Sequence, residues 1–527
     1  MQKKITLGIL LLSGLPIACR SGVPLVRQST HQIDSPPIST PRCPAISQSE
    51  TVSQSPSFEV VPASVSTVVV APAILDSPPR DVNLVRAIEA LPEQPIDLTT
   101  ALMMTTGQNP QIAFARARVE EAMAQVDRAN ALKLPSLRAG LNYNKHEGRI
   151  QDVAGSVIET SRGSFYSGLG ANAVGAGSPA VPGIVSQFHF ADAIFQPKIA
   201  QRTACARQAR SLAISNDQLL ATALAYNELL KAEQDLAVKI ELVSYVRQLE
   251  KATAEFEKAG EGLASDHDRA RTEVALRRTE QSRAEEMAGI ASARLAERIR
   301  WDSAVRLTPS EPHIAPIHLV SLANTPQEMV AVGLSNRPEL VETRHLVGEA
   351  IERLKREQNA PLVPSVLLAA SYGGLGGGLG GEIANYGDRF DADAVAYWEI
   401  RQLGIGEQAI RRESKSRILQ AKTREIEVMD RIAREVAEGY VQITARKEQI
   451  DLAHEAVLAA QDSFEKNWDR IRNGKGLPIE VLQSINARGV AQHEYVRAVS
   501  DYNAAQFSLQ RALGWPVTAG SNETPTL

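Results

Sequence analysis

Residues 429–471, MDRIAREVAEGYVQITARKEQIDLAHEAVLAAQDSFEKNWDRI, decide how this chain folds. Met429, Val436, Ile443, Ile450, Val457, Phe464 and Ile471 follow one another at intervals of seven. A strict seven-residue apolar repeat falls slightly short of two α-helical turns. The stripe therefore stays on one contact line only if the helix winds left-handedly against a neighbour. Gly439 is the only Gly or Pro in the run. The pattern stops at Asn473-Gly474-Lys475-Gly476-Leu477-Pro478, and a second helical pattern continues to about Leu513. The stretch predicts one arm of a long helical hairpin.

The same layout stands earlier in the chain. Gly260-Glu261-Gly262-Leu263 precedes Gly474-Lys475-Gly476-Leu477 by 214 residues, and the same offset relates Asp266 to Glu480 and Leu295 to Leu509. The arm before the first turn carries Leu212, Leu219 and Tyr226, then Leu229, Leu236 and Val243, again at intervals of seven. At ~1.5 Å per residue, an arm of ~60 residues is roughly 90 Å long. Upstream of each hairpin a helix opens at a proline, at Asn109-Pro110-Gln111 and at Asn336-Arg337-Pro338-Glu339-Leu340. Proline suits the first helical turn, where its missing N–H is not needed. In the first of these helices Ile112, Ala115, Val119, Ala122 and Val126 mark one face. The helices end at Pro135 and Pro364, where the period changes from helical to two. Leu137, Ala139, Leu141 and Tyr143 alternate with Arg138, Gly140, Asn142 and Asn144, and Val366, Leu368, Ala370 and Tyr372 alternate likewise. Such alternation marks strands with one apolar and one polar face. After a Gly/Ser/Ala-rich loop, 146–182, Phe188, Phe190 and Ile194 suggest a further extended stretch, and Gly373–Gly381 precedes its counterpart.

The reading is a mainly α fold with β, built as a tandem helix–strand–strand–helix–helix repeat. The first repeat covers 96–307, with strands near 136–145 and 184–196 and a tip at 259–266. The second covers 308–517, with strands near 364–373 and 391–403 and a tip at 473–480. Residues 20–95, rich in Ser, Pro, Thr and Val, read as a disordered tether, and 518–527 as a flexible tail.

The remaining composition narrows the function. Only 5% of residues are aromatic, and 57 basic against 61 acidic residues give a net charge of -4, with no electrostatic case for nucleic acid. Lys3 and Lys4 precede an apolar run that ends in Leu15-Pro16-Ile17-Ala18-Cys19, an export leader at 1–19. Its end resembles a lipoprotein box with Cys19 as the acylated residue. An ordinary cleaved leader is the alternative, because Pro16 and Ile17 depart from the usual pattern. Cys19, Cys43 and Cys205 are too few and too scattered for a disulfide framework.

Four amphipathic strands cannot close a barrel alone, since single-chain outer-membrane barrels begin at about eight strands. Several chains sharing strands would close one and remove its edges. The charged, amphipathic helices must then project into water as a tube. A lipid-anchored periplasmic coiled-coil scaffold without a pore is the alternative. No catalytic, cofactor or metal residues stand out. Gly404-Ile405-Gly406 opens a helix after an extended stretch but is followed by no second strand within ~30 residues, as a dinucleotide fold needs. Asp266-His267-Asp268 are adjacent and cannot share one helical face.

The chain resembles outer-membrane efflux proteins of the TolC family. The matching features are Gln108-Asn109-Pro110-Gln111-Ile112, Pro135-Ser136-Leu137, Asn336-Arg337-Pro338-Glu339-Leu340, Pro364-Ser365-Val366, the two Gly-x-Gly-Leu turns, and Asp501-Tyr502-Asn503-Ala504-Ala505 before Ala512-Leu513-Gly514. The resemblance implies a homotrimer with a twelve-stranded barrel in the bacterial outer membrane and a large periplasmic helical tunnel. It implies a passive duct for efflux or type I secretion. Such a duct serves a periplasmic adaptor and an inner-membrane pump of the RND, ABC or MFS type, and works without a cofactor. On that template Gly260, Gly262, Leu263, Ser265, Gly474, Gly476 and Leu477 form the adaptor-docking tips. On it Glu480 stands at the tunnel mouth, with Gln483 where the family often has a second acid. Asp266 matches Glu480 by the offset, and Ile471 is the last position of the stripe before the turn, so both are placed at the mouth with it. Acids that merely sit at helix starts are the alternative for Asp266 and Glu480.

Overall fold

The structure, a computed structural model, describes residues 92–137, 139–171, 181–182, 184–380 and 382–518. The leader, Cys19, residues 20–91 of the tether and the tail from 519 lie outside the described residues. The elements run β1 (Glu93–Ile96), α1 (Leu98–Gln108), α2 (Pro110–Ala131), β2 (Ser136–Leu137), β3 (Ala139–Gln151), β4 (Val157–Ala171), β5 (Val181–Pro182), β6 (Ile184–His189), α3 (Phe190–Ala259) and α4 (Ala264–Ile299). After β7 (Arg306–Pro309) the order recurs: α5 (Pro326–Asn336), α6 (Pro338–Asn359), β8 (Ser365–Leu379), β9 (Gly387–Tyr397), α7 (Ile405–Arg472) and α8 (Pro478–Ala512).

The long helices α3 and α7, of 70 and 68 residues, are each continuous. At ~1.5 Å per residue each is roughly 100 Å long. Between and beside them stand the short helices. Near the sheet α3 is tied to α6 through Asp192–Arg356 at 2.5 Å, and to the start of α2 through Gln218–Gln111 at 2.7 Å. Farther down it is tied to α4 through Lys239–Glu280 at 3.0 Å and to α8 through Arg488–Glu241 at 2.6 Å. The heptad stripe of α7 lies against α8: Val436, Ile443 and Ile450 share a core with Val496, Val499, Tyr502, Ala505 and Leu509. Glycines set the closeness of these seams. Leu509 nests over Gly439, and Leu242 of α3 nests over Gly489 of α8.

The short helices meet nearly end to end, in the same way in both repeats. Asn109 caps α2 by accepting from the Gln111 amide and donates to the carbonyl of Arg298, in the last turn of α4. Arg337, at the matching place before Pro338, donates to the carbonyl of Ala512, the last residue of α8. Arg298 and Ala512 are themselves related by the offset of 214. The crossover between repeats is clamped by α8. Asn503 accepts from Ile317 N–H and donates to Ala315 O, while Gln506 accepts from Leu319 and Val320.

The strands form an antiparallel sheet in which β3 pairs β4, β4 and β6 both pair β8, and β8 pairs β9. Register puts Leu141, Tyr143, Phe165, Leu368, Tyr372 and Phe390 on one face and Asn144, Ser164, Ser371 and Asp391 on the other. The apolar face is exposed at Leu141, Tyr143, Leu368, Tyr372 and Phe390. On the polar face Arg389 forks onto Asp391 at 2.8 and 3.0 Å. Among the described residues the outer edges of β3 and β9 have no strand partner.

Three strand expectations are corrected. The segment expected as a loop, 146–182, contains the end of β3 and all of β4. The strand expected over 184–196 ends at His189. Phe190 and Ile194 are also four apart, a helical spacing, and Asp192 lies in the first turn, where the helix dipole favours an acid. The strand expected over 391–403 is β9, 387–397. Gln402, Leu403 and Gly404 take positive φ and turn the chain into α7.

A Cβ on Gly489 would meet Leu242 Cδ1 at 2.5 Å. Gly489→Val should overpack the α3–α8 seam and cost ~1–3 kcal/mol. A lowered melting temperature of the detergent-extracted protein is expected; an unchanged one would mean that Leu242 is not seated there.

Candidate functional site

The two hairpin turns are built alike because the same atoms crowd them. In the first, Gly260 takes φ 74° and Gly262 donates to Phe256 O at 3.0 Å. A Cβ on Gly262 would stand 2.9 Å from Phe256 Cβ. In the second, Gly474 takes φ 67°, Lys475 donates to Arg470 O at 2.9 Å, and a Cβ on Gly476 would stand 2.9 Å from Ile471 N. The first glycine supplies a left-handed conformation and the second a close approach. Phe256 and Arg470 are again 214 apart.

Neither turn needs its leucine. Leu263 is 67% exposed and Leu477 60%, so neither is tucked under its own turn. Ser265 is exposed as well. Asp266 sits in the first turn of α4, 3.7 Å from Arg269. Glu480 accepts from Leu477 N–H at 3.3 Å and is paired with Arg470 across the turn at 3.0 Å. Both acids lie at helix starts, where the dipole stabilises them. An exposed pair of this kind contributes at most ~1 kcal/mol. His267 ties the first turn together through Glu257 at 2.7 Å.

Ile471 stands apart from these surface residues. It is buried with Leu242, Val246, Val274, Phe464, Val481 and Ile485, inside the wall. Its side chain therefore supports the turn from within and does not face a mouth.

Sequence reasoning missed two charged clusters. Just above the tips, Arg488 of α8 is buried over the adjoining rings of Tyr245 and Phe464, at 4.8 and 5.2 Å, and donates to Glu241. Burial and the Glu241 carboxylate push the Tyr245 phenol up. Nearby, burial works against the Glu280 charge, but Lys239 and Arg277 hold that carboxyl below its usual range. At the joints between short helices, Arg337 is 2% exposed and forks onto Glu339 at 3.0 and 3.1 Å, with Glu435 at 2.8 Å. Arg511 bonds Asp217 and the same Glu339. The Asn336-Arg337-Pro338-Glu339 motif carried a signal for this cluster, while nothing local marked Arg488 as buried.

Among the described residues no helix is long and apolar enough to cross a membrane. Any crossing would fall to the amphipathic sheet.

No family model matches the chain. Over 247 residues it is 24% identical to the outer membrane efflux protein BepC of Brucella suis, covering 46% of this chain and 53% of that protein. The chain thus spans about half the length of that curated relative. Its fold is similar to the outer membrane protein VceC of Vibrio cholerae (TM-score 0.64, 18% identity, 79% of this chain and 96% of that one). It is also similar to the outer membrane channel CmeC of Campylobacter jejuni (TM-score 0.66, 13% identity, 79% and 85%).

Because both leucines are already solvated, Leu263→Ser with Leu477→Ser should leave thermal unfolding within about 0.5 kcal/mol of the parent. A clear loss of stability in melting experiments would place them in the core.

Proposed function

We propose that this chain, which has the fold of TolC-family outer-membrane channels, is one protomer of a homotrimeric export duct. The carrying observation is the sheet, which is apolar on one face, polar on the other and, among the described residues, open at both edges. It continues directly into helices roughly 100 Å long. Three copies joined β3 to β9 give twelve strands and leave no edge, with the apolar faces toward lipid. The helices then form a tube in the periplasm. The duct does no chemistry; the exported solute is driven by an inner-membrane pump of the RND, ABC or MFS type, reached through a periplasmic adaptor. Exposed apolar side chains flank the helical wall, at Phe114, Leu276 and Met287 on one side and Leu419, Val441 and Leu452 on the other. Contact between protomers would cover them.

Within this reading Gly260, Gly262, Leu263, Ser265, Gly474, Gly476 and Leu477 form tips that the adaptor grips. The exposed leucines support this, since an apolar side chain in water at a turn gains by being covered. Asp266 and Glu480 place carboxylates near the mouth. Three symmetry copies concentrate negative potential there and favour cations. Arg470 offsets part of that charge.

In a planar bilayer the detergent-extracted protein should give discrete conductance steps with cation preference. Absence of steps, with solubility in plain buffer, would leave the scaffold without a pore as the reading. Glu480→Gln should shift the reversal potential toward lower cation preference and Arg470→Gln toward higher; identical potentials in all three proteins would remove Glu480 from the mouth. For docking, Leu477→Ser should reduce crosslinking to the adaptor severalfold while trimers persist, and undiminished crosslinking counts against the tips.

A further inference from the structure

Three connections join helix and strand at the helical end of the sheet. They are 132–135 between α2 and β2, 360–364 between α6 and β8, and 398–404 between β9 and α7. His189, Ser365 and Tyr397 stand side by side across the ladder, which puts the last two connections and the start of α3 at one level. Ser136 joins the ladder opposite Val185, four residues from His189. Each connection holds large apolar side chains out in water: Leu134 in the first, Leu362 in the second, and Trp398, Ile400 and Leu403 in the third, followed by Ile405.

Leu403 is the most exposed of them, at 95%, and takes φ 54° and ψ 28° after Gln402 at φ 44°. The left-handed region disfavours side chains other than Gly, Asn and Asp. A solvated leucine also forgoes the gain from burial. Yet the kink is held firmly. Arg401 donates to Glu407 at 2.7 and 3.1 Å and to Glu357 at 3.0 Å, which ties it to α7 and α6. A conformation that is unfavourable twice over, and is clamped in place, serves something outside the chain. The apolar face of the sheet leads to it. Ala396 opposes Val366 on that face, and Trp398 is the next residue in the alternation. Lys133, next to Leu134, and Arg412, two turns into α7, are exposed, as is Glu399. We infer, on the reading of the sheet as membrane-spanning, that this rim is a lipid-seated collar. Its kink presses Ile400, Leu403 and Ile405 into the periplasmic leaflet at the boundary of acyl chains and headgroups, where phospholipid covers them. Apolar and aromatic side chains settle at that boundary, and long basic stems reach its phosphates. The collar fixes the depth at which the helical tube hangs, and so the distance of the tips from the membrane.

The test uses the full chain in the bacterial outer membrane, with the photocrosslinker p-benzoylphenylalanine placed in turn at Leu403, Ile405, Phe390 and Val441. After irradiation, the peptides that carry positions 403 and 405 should gain the mass of one phospholipid. Ile405 has an ordinary backbone, φ -68°, and reports even where the bulky probe disturbs Leu403. Val441 is also exposed but lies 36 residues further along α7, about 54 Å away at ~1.5 Å per residue. It should gain no lipid. Linkage of 403 and 405 to a second copy of the chain, no adduct at either, or an equal lipid adduct at Val441 would overturn the collar. Phe390, on the apolar face of the sheet, separates this outcome from that of the duct. Lipid at Phe390 alone overturns the collar and leaves the spanning sheet; lipid at none of the four overturns both.

Discussion

The wall depends on how helices of unequal length share one thickness. Two helices run its full height, and four short ones, α2, α4, α6 and α8, fill the remaining places in pairs. Each pair meets inside the protein, where the last carbonyls of one helix have lost their intrahelical partners. Left dry and unpaired, such groups are costly. The side chains of Asn109 and Arg337 reach across the two joints and donate to Arg298 and Ala512. The arginine brings a charge with it, and Glu339, Glu435, Asp217 and Arg511 close around that charge. Glu339, which both arginines contact, is the acid whose loss would break buried pairs, at a cost of ~3–5 kcal/mol.

What could be read in the sequence was what chain geometry enforces locally. The seven-residue stripe of α7 places Val436, Ile443 and Ile450 in one core, and the paired glycines of both turns announce sharp reversals. Strand β4 was illegible for a physical reason. Its sequence, VIETSRGSFYSGLGA, has too few large apolar residues to mark a face, and it is ordered by the ladders of β3 and β8 on either side. Arg488 was illegible for a related reason. An arginine lying over two rings looks like any surface arginine until Tyr245 and Phe464, from two other helices, are brought to it. Ile471 continued the stripe correctly, but only packing reveals that it faces Val481 and Leu482 rather than open space.

The duplicated design also separates tasks between the repeats. Both turns have the same glycine geometry and the same exposed leucine. Their supporting contacts differ: His267 with Glu257 in the first, Arg470 with Glu480 in the second. One tip is braced by an imidazole and the other by a guanidinium. The backbone of the turn, common to both, is left to the glycines alone.

The two bare edges of the sheet set the order in which this protein can come into being. Among the described residues a lone chain presents unpaired N–H and C=O groups along β3 and β9, which neither lipid nor a dry interior tolerates. In the trimer proposed above, insertion cannot precede association. Maturation then has a rate that rises steeply with the number of chains waiting at the membrane, and a chain that finds no companions has no resting form there. Abundance, rather than the stability of any one copy, becomes the quantity that a cell must keep above a floor.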